Sequence, residues 1–278
     1  MGESGLSPHA AALIADRVEA SAFADLYAAA PTALKTDLGV AVATVADATL
    51  LLAPRVPTPV FNRAIGLGMS SPASLGTVQA IVDAYKVAGV ASWWLHWSPF
   101  AHPADFESAL LQRGFTHAKR LTWAKMLLAP APLPAVTTDL RIDAAGDDRV
   151  DDVVTAIAQA FEMPPFMAQW LRQLHGRPRW RIYALSDGPR VVGGGCLFVE
   201  GAAAWLGMGS VLPSHRGRGG QRALMSRRIA DAIAAGATRI VTETGEAIGD
   251  EPNPSLANMA RCGFERVASR VNLVGPAA

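Results

Sequence analysis

Apolar residues recur at helical spacing in SLGTVQAIVDAYKVAG (residues 74–89) and again in QRALMSRRIADAIAAG (residues 221–236). Each stretch closes on glycine, Gly89 and Gly236, the residue that best takes the left-handed turn beyond a helix end. A short apolar run follows each time, SWWLHW (92–97) and TRIVTE (238–243), and reads as a strand. Then come a polar loop and a short helical stretch, ADFESALLQR (104–113) or PSLANMARC (254–262). Gly114-Phe115 and Gly263-Phe264 mark the next corner, and a final strand runs over 116–128 and 265–274. The same order met twice predicts two copies of one α/β unit. Ahead of each copy, alternating stretches predict antiparallel strands. In the first half these are 39–45 and 48–54 around an Ala46-Asp47 turn, then 60–67. In the second they are 181–187, 191–201 and 202–211. The expected class is α/β, a mixed sheet flanked by helices.

Alternating proline in Ala129-Pro130-Ala131-Pro132-Leu133-Pro134 makes a stiff connector that neither a helix nor a central strand crosses. The predicted division is a first domain over 1–130, a linker over 131–138 and a second domain over 139–278. On one strand, alternation sends Trp94 and His96 to one face and Trp93 and Trp97 to the other. This predicts burial on both faces. The stretch Leu38 to Pro54, interrupted by Asp47, reads as two short strands in preference to a membrane span.

Half of the 278 residues are hydrophobic and 18% are charged, enough apolar surface for two cores. The net charge of +1 supplies no field that would attract nucleic acid or an anionic membrane. Cys196 and Cys262 have no partners at metal-ligand spacing, so no metal site is expected, and the two read as buried thiols. The N-terminus shows no basic head followed by an apolar run, and a reducing cytoplasmic location is the expectation.

The chemistry concentrates in WLGMGSVLPSHRGRGGQRALM (205–225). A strand ends at Val211-Leu212, Pro213 breaks it, and Arg216-Gly217-Arg218-Gly219-Gly220-Gln221 leads into the long helix. Glycines let successive backbone N–H groups converge, and the helix start adds partial positive charge. The result is a cradle for phosphate or pyrophosphate, with Arg216, Arg218 and Arg222 to pair with its oxygens. Neither the Rossmann glycine spacing nor the Gly-Lys-Ser/Thr of a Walker loop is present.

This segment resembles the GNAT (Gcn5-related N-acetyltransferase) superfamily. Arg216, Gly219 and the Val211-Leu212-Pro213 strand end match its Arg/Gln-x-x-Gly-x-Gly/Ala motif, while Gln221 replaces the last Gly or Ala. The likeness continues through TETGE, Asn253-Pro254-Ser255 and Cys262-Gly263-Phe264. The first half looks like a degenerate copy without the Arg-Gly-x-Gly loop, so the whole chain resembles the tandem GNAT proteins.

The resemblance implies an acyltransferase that uses acetyl-CoA or another acyl-CoA, with direct attack by an amine, here of a small molecule. The cofactor would lie against Gly209, Ser210 and Val211 on the strand, residues 216–222 of the loop, and Asn253, Ser255 and Asn258 by the short helix. Glu243 is the candidate general base, with Glu246 in reserve. Met259 stands where the family commonly has a proton-donating Tyr. That substitution keeps open a second reading, a catalytically silent acyl-CoA-binding or regulatory protein. Met163, Phe166, Met167 and Trp170 are either core or the wall of an acceptor pocket. Tandem copies suit a monomer or a homodimer.

Overall fold

The computed structural model describes residues 5–246, 249 and 253–276. Its elements are α1 (Pro8–Ala28), α2 (Thr32–Leu38), β1 (Ala41–Val45), β2 (Ala48–Leu52), β3 (Arg63–Ile65), α3 (Leu75–Val87), β4 (Trp94–Trp97), α4 (Phe106–Gln112) and β5 (Thr116–Leu128). There follow β6 (Arg141–Ala144), α5 (Val150–Ala160), α6 (Phe166–Arg172), β7 (Trp180–Asp187), β8 (Arg190–Glu200), β9 (Ala203–Val211), α7 (Gly220–Ala234), β10 (Arg239–Gly245), α8 (Pro254–Arg261) and β11 (Glu265–Val274). No described helix is long and apolar enough to cross a membrane.

The chain packs as two compact units, and these do not follow one another along the sequence. The first takes 1–125 with 243–253 and 266–278, and the second takes 126–242 with 254–265. This departs from the predicted division of 1–130 and 139–278. The cause is strand pairing. β11 lies antiparallel to β4, with Val271 opposite Trp97 and Val274 opposite Trp94, so the last strand completes the first unit. A proline-rich stretch marks a change of local conformation and carries no information about where a strand 130 residues later will pair.

In the first unit the strand order is β1-β2-β3-β4-β11-β5. The β1–β2 and β2–β3 pairs are antiparallel, and β3 and β4 are parallel. β4 therefore has a neighbour on each side. Trp93, His96 and Trp97 are all buried, and Trp93 stacks on Tyr85 with centroids 4.2 Å apart. α3 starts at Ser74, whose hydroxyl accepts from Thr77 N–H (3.0 Å), an ordinary N-cap. Its Val78, Ile81 and Tyr85 face the core.

In the second unit the order is β10-β9-β8-β7-β6, with β6 to β9 antiparallel and β9–β10 parallel. α5 buries Val150, Val153, Val154 and Ile157. Met167 and Trp170 of α6 are fully interior, which places them in the core; Met163 and Phe166 remain half-buried. Cys196 and Cys262 are free, buried thiols, and burial pushes the Cys196 thiol up to about 12.

Candidate functional site

β9 changes register against β8 midway: Cys196 faces Gly207, whereas Gly194 faces Ser210. Met208 and Gly209 together oppose Gly195, which makes a β-bulge, and Met208 takes φ 56°, unusual for a side chain of its size. Parallel pairing with β10 covers only Arg239–Val241 against Ala203–Trp205. Beyond it, the Thr242 hydroxyl bonds Leu206 O (2.9 Å). From Gly207 onward, β9 pairs with no strand on that side among the described residues and carries its bulge there.

Arg228 of α7 explains the bulge; from the sequence it stands only as one of a local cluster of basic residues, with Arg216, Arg218, Arg222 and Arg227, that suggests a small anionic ligand. Its guanidinium is buried and donates to the carbonyls of Gly207 (2.9 Å) and Cys196 (3.1 Å), while Nε donates to Leu224 O (3.2 Å). A side chain at Gly209 or Gly195 would lie 2.6 or 2.9 Å from this guanidinium, so both glycines make room for it. No carboxylate forms an ion pair with Arg228 among the described residues, and burial lowers it to about 10. The available signal was a helical arginine at a core-facing position, 228, between Leu224 and Ala232.

After β9 the chain makes a single turn over Pro213–His215 and enters the glycine loop. Gly217 has φ 81° and Gly219 φ 77°, the left-handed region that glycine occupies without cost. Their surroundings differ. A Cβ on Gly217 would meet nothing within 4 Å, while one on Gly219 would sit 2.6 Å from Thr137 O. Gly217 thus faces open space, and Gly219 is pressed against the segment after the proline-rich stretch, where Thr138 Oγ1 donates to Arg218 O (2.7 Å). α7 makes its first internal bond from Ala223 to Gly219 O (3.1 Å). The N–H groups of Gly220, Gln221 and Arg222 therefore emerge from the helix start, as the first turn of any helix requires.

The three loop arginines have separate duties. Arg216 is exposed, with Nε held by Val211 O (3.2 Å). Arg218 is taken up by two carboxylates: it donates to Asp187 (2.6 Å) and, through Nε, to Asp139 (3.1 Å). Its hydrogen bonds hold both carboxyls below their usual range. The expectation that this guanidinium grips phosphate is revised accordingly, because a ligand would have to displace two bound carboxylates. Arg222 is half-buried, and its Nε meets no acceptor among the described residues.

Gln221 links the loop to α8, donating to Ser255 Oγ (3.3 Å) and accepting from Asn258 (2.6 Å). The site residues Gly209, Ser210, Val211, 216–222, Ser255 and Asn258 thus all belong to the second unit. Asn253 belongs to the first, its amide bonded to Gly245 O. Met259 is buried.

Glu243 lies elsewhere than a free base would. It belongs to the first unit, where its carboxylate, 6% exposed, pairs with Lys125. Lys125 also pairs with Glu19 (2.6 Å), which takes Arg270 (2.6 Å) and Arg63 (3.7 Å) as well. Asp16 joins through Arg270 (3.1 Å). Three carboxylates and three cations thus form a buried, balanced network. Burial opposes the charge on Glu19, but Arg270, Lys125 and Arg63 outweigh it and hold this carboxyl well below its usual range. Burial and the neighbouring Glu19 instead raise Glu243. A sequence cannot reveal this network, because Asp16 and Glu19 come from α1, which lies far from Glu243 in the chain. Glu246 caps other groups: it accepts from Ser269 (2.8 Å) and Arg266 (2.8 Å).

The corresponding loop of the first unit, between β3 and α3, also gathers backbone donors. The N–H groups of Gly68 (3.2 Å), Ser70 (2.8 Å) and Ser71 (3.1 Å) all point at the carboxylate of Asp47. That nest already holds an anion belonging to the chain itself.

Residues 150–264 match the model of the acetyltransferase (GNAT) family. No curated protein matches the chain. Among solved structures it is similar to a GCN5-related N-acetyltransferase from Kribbella flavida, at 18% identity and TM-score 0.64 over 95% of this chain and 96% of that one. It is similar also to a GCN5-related N-acetyltransferase from Sphaerobacter thermophilus, at 17% identity and TM-score 0.60 over 82% and 80%. A tandem GNAT protein from the clavulanic acid biosynthesis pathway aligns at 18% identity and TM-score 0.57 over 83% and 79%. Residues 150–264 thus match the GNAT acetyltransferase family, and the chain shares its fold with these GCN5-related and tandem GNAT structures.

Proposed function

We propose that the second unit binds acetyl-CoA or a related acyl-CoA and transfers the acyl group to the amine of a small molecule. The observation that carries this reading is the juxtaposition, in one unit, of an open glycine loop with a bulged strand held by a buried arginine. The N–H groups of Gly220, Gln221 and Arg222 suit a pyrophosphate, as does the open side of Gly217. Arg216, exposed beside them, adds a positive charge. A bound acyl-CoA supplies an activated thioester. Arg228 fixes the carbonyls of Gly207 and Cys196, and so orients the backbone of the bulge, where the N–H of Gly209 can polarise a carbonyl oxygen. Holding the two reactants together supplies much of the rest. Glu243 is tied to Lys125, so we assign removal of the acceptor's proton to solvent.

The second reading, acyl-CoA binding without turnover, has its own observation: Met259 is buried and has no proton to give. One experiment separates the two. Acetyl-CoA is titrated calorimetrically into wild type and Gly217→Asp, and release of free thiol is followed with a panel of small amines. Aspartate tolerates the left-handed region and meets no clash at 217, so this variant places a negative charge in an intact loop. Micromolar binding lost in the variant, with thiol release on some amine, supports transfer. The same binding without thiol release on any amine selects the silent reading. Absence of acetyl-CoA binding to wild type overturns both.

A further inference from the structure

A pocket of about 230 Å³ opens in the first unit between α1, the β1–β2 turn and the segment after β3. At about 30 Å³ per water in the liquid, it has room for several waters or one small organic molecule. Leu13, Ala20 and Ile65 give it an apolar wall, and Asp16, Arg17 and Asp47 contribute its charges.

These charged groups are not equally satisfied. Asp47 already accepts three backbone N–H groups. Arg17 donates to Ser70 Oγ (3.0 Å). Asp16 is 3% exposed, and its Oδ1 takes Arg270 (3.1 Å), but its Oδ2 is buried with no donor among the described residues. The cations of the buried network gather on Glu19, so Asp16 is left with a single contact. Burial outweighs the pull of Arg270 and Lys125 and raises its carboxyl above the usual value. A buried carboxylate oxygen without a donor costs free energy that an entering donor would recover.

We propose that this pocket binds a small primary amine, its ammonium on Asp16 Oδ2 and its short alkyl arm against Ala20 and Ile65. Two carboxylates against one guanidinium in the wall favour a cation over an anion or a neutral donor. A single unpartnered carboxylate oxygen is too few ligands for a hard metal ion, which takes six or more. This site is separate from the acyl-CoA loop and does not depend on that reading.

The test is calorimetry with n-butylamine at pH 7, where it is the ammonium, against 1-butanol and butyrate. The proteins are wild type, Asp16→Asn and Ala24→Phe, the last filling the pocket from α1 while every charged side chain of the network is kept. Thermal melting checks that each is folded. The expected result is millimolar or tighter binding of butylammonium to wild type, at least tenfold weaker in both variants, with butanol and butyrate at least tenfold weaker on wild type. Gly217→Asp, which disables the phosphate loop, retains it. If Asp16→Asn does not fold, Ala24→Phe alone decides. No binding of butylammonium to wild type overturns the proposal, as does binding that survives in the folded variants or that butanol matches.

Discussion

Replacing Lys125 with Met removes the cation shared by Glu19 and Glu243 while keeping an apolar stem of similar length. The three side chains are 1%, 0% and 6% exposed, so water cannot take over. Glu19 keeps Arg270 and Arg63, and the loss falls on Glu243. Leaving it charged in the interior costs several kcal/mol. It has a cheaper course, to bind a proton. Protonating a carboxyl of ordinary value 4.5 at pH 7 costs about 3.4 kcal/mol at 1.36 kcal/mol per unit, and about 0.7 kcal/mol at pH 5. That sets the ceiling on the destabilisation at each pH. Above pH 4.5 the folded variant holds a proton that the unfolded chain lacks, so its stability rises as pH falls. Urea unfolding followed by tryptophan fluorescence at pH 5, 6 and 7 should therefore show Lys125→Met roughly 3 kcal/mol below wild type at pH 7 and within about 1 kcal/mol at pH 5. Adding Glu243→Gln should recover most of the deficit at pH 7. A deficit independent of pH, or a double variant no better than the single one, would refute the reasoning and return Glu243 to the list of candidate bases.

Arg228→Met strips two buried carbonyls of their donor, at about 1–3 kcal/mol each, but also removes an unpaired buried charge worth several kcal/mol in desolvation. Stability should thus change by no more than about 2 kcal/mol, while kcat for thiol release drops on the order of 100-fold, the scale of one lost oxyanion donor; an unchanged kcat in the folded variant would dissociate Arg228 from catalysis. At the glycine loop, Gly217→Ala should cost about 1 kcal/mol, for the left-handed backbone alone. Gly219→Ala adds a collision with Thr137 O and should cost roughly 2–4 kcal/mol by urea unfolding; equal costs would contradict the packing described.

The repeat was legible because its signals are local. Helix periods, closing glycines and Gly-Phe corners place α3, β4, α4 and β5, and again α7, β10, α8 and β11, to within two or three residues of the observed ends. The segment 60–67 was only half a strand: Pro59–Phe61 makes a single turn, and pairing begins at Arg63. α1 went unread because it is rich in alanine and buries Asp16, Glu19 and Asp25 among its apolar residues, so no apolar stripe stands out. The glycine loop and the helix that follows it could be read from glycine spacing. Which of its arginines is free could not, since Asp139 and Asp187 reach Arg218 from other elements. The tie on Glu243 is hidden for the same reason: a strand end suits a base, while Lys125, the partner that holds this carboxylate, lies 118 residues away.

A comparison within the chain accounts for the difference between the two loops. In each unit a hairpin precedes the strand that feeds the loop, β1–β2 before β3 and β7–β8 before β9. Each hairpin end carries an aspartate that reaches the loop. In the first unit this is Asp47, which takes the backbone N–H groups of Gly68, Ser70 and Ser71, and the nest is filled from within. In the second it is Asp187, but Arg218 supplies a guanidinium that intercepts the carboxylate at 2.6 Å, and Asp139 holds the same arginine from the other side. The loop backbone is thereby spared an internal anion. Under the proposed function, Arg218 would act for a ligand indirectly, by keeping the Asp187 carboxylate bound away from the helix start. The two loops thus differ in where one carboxylate goes: Asp47 takes the N–H groups of its own loop, whereas Asp187 is taken by Arg218.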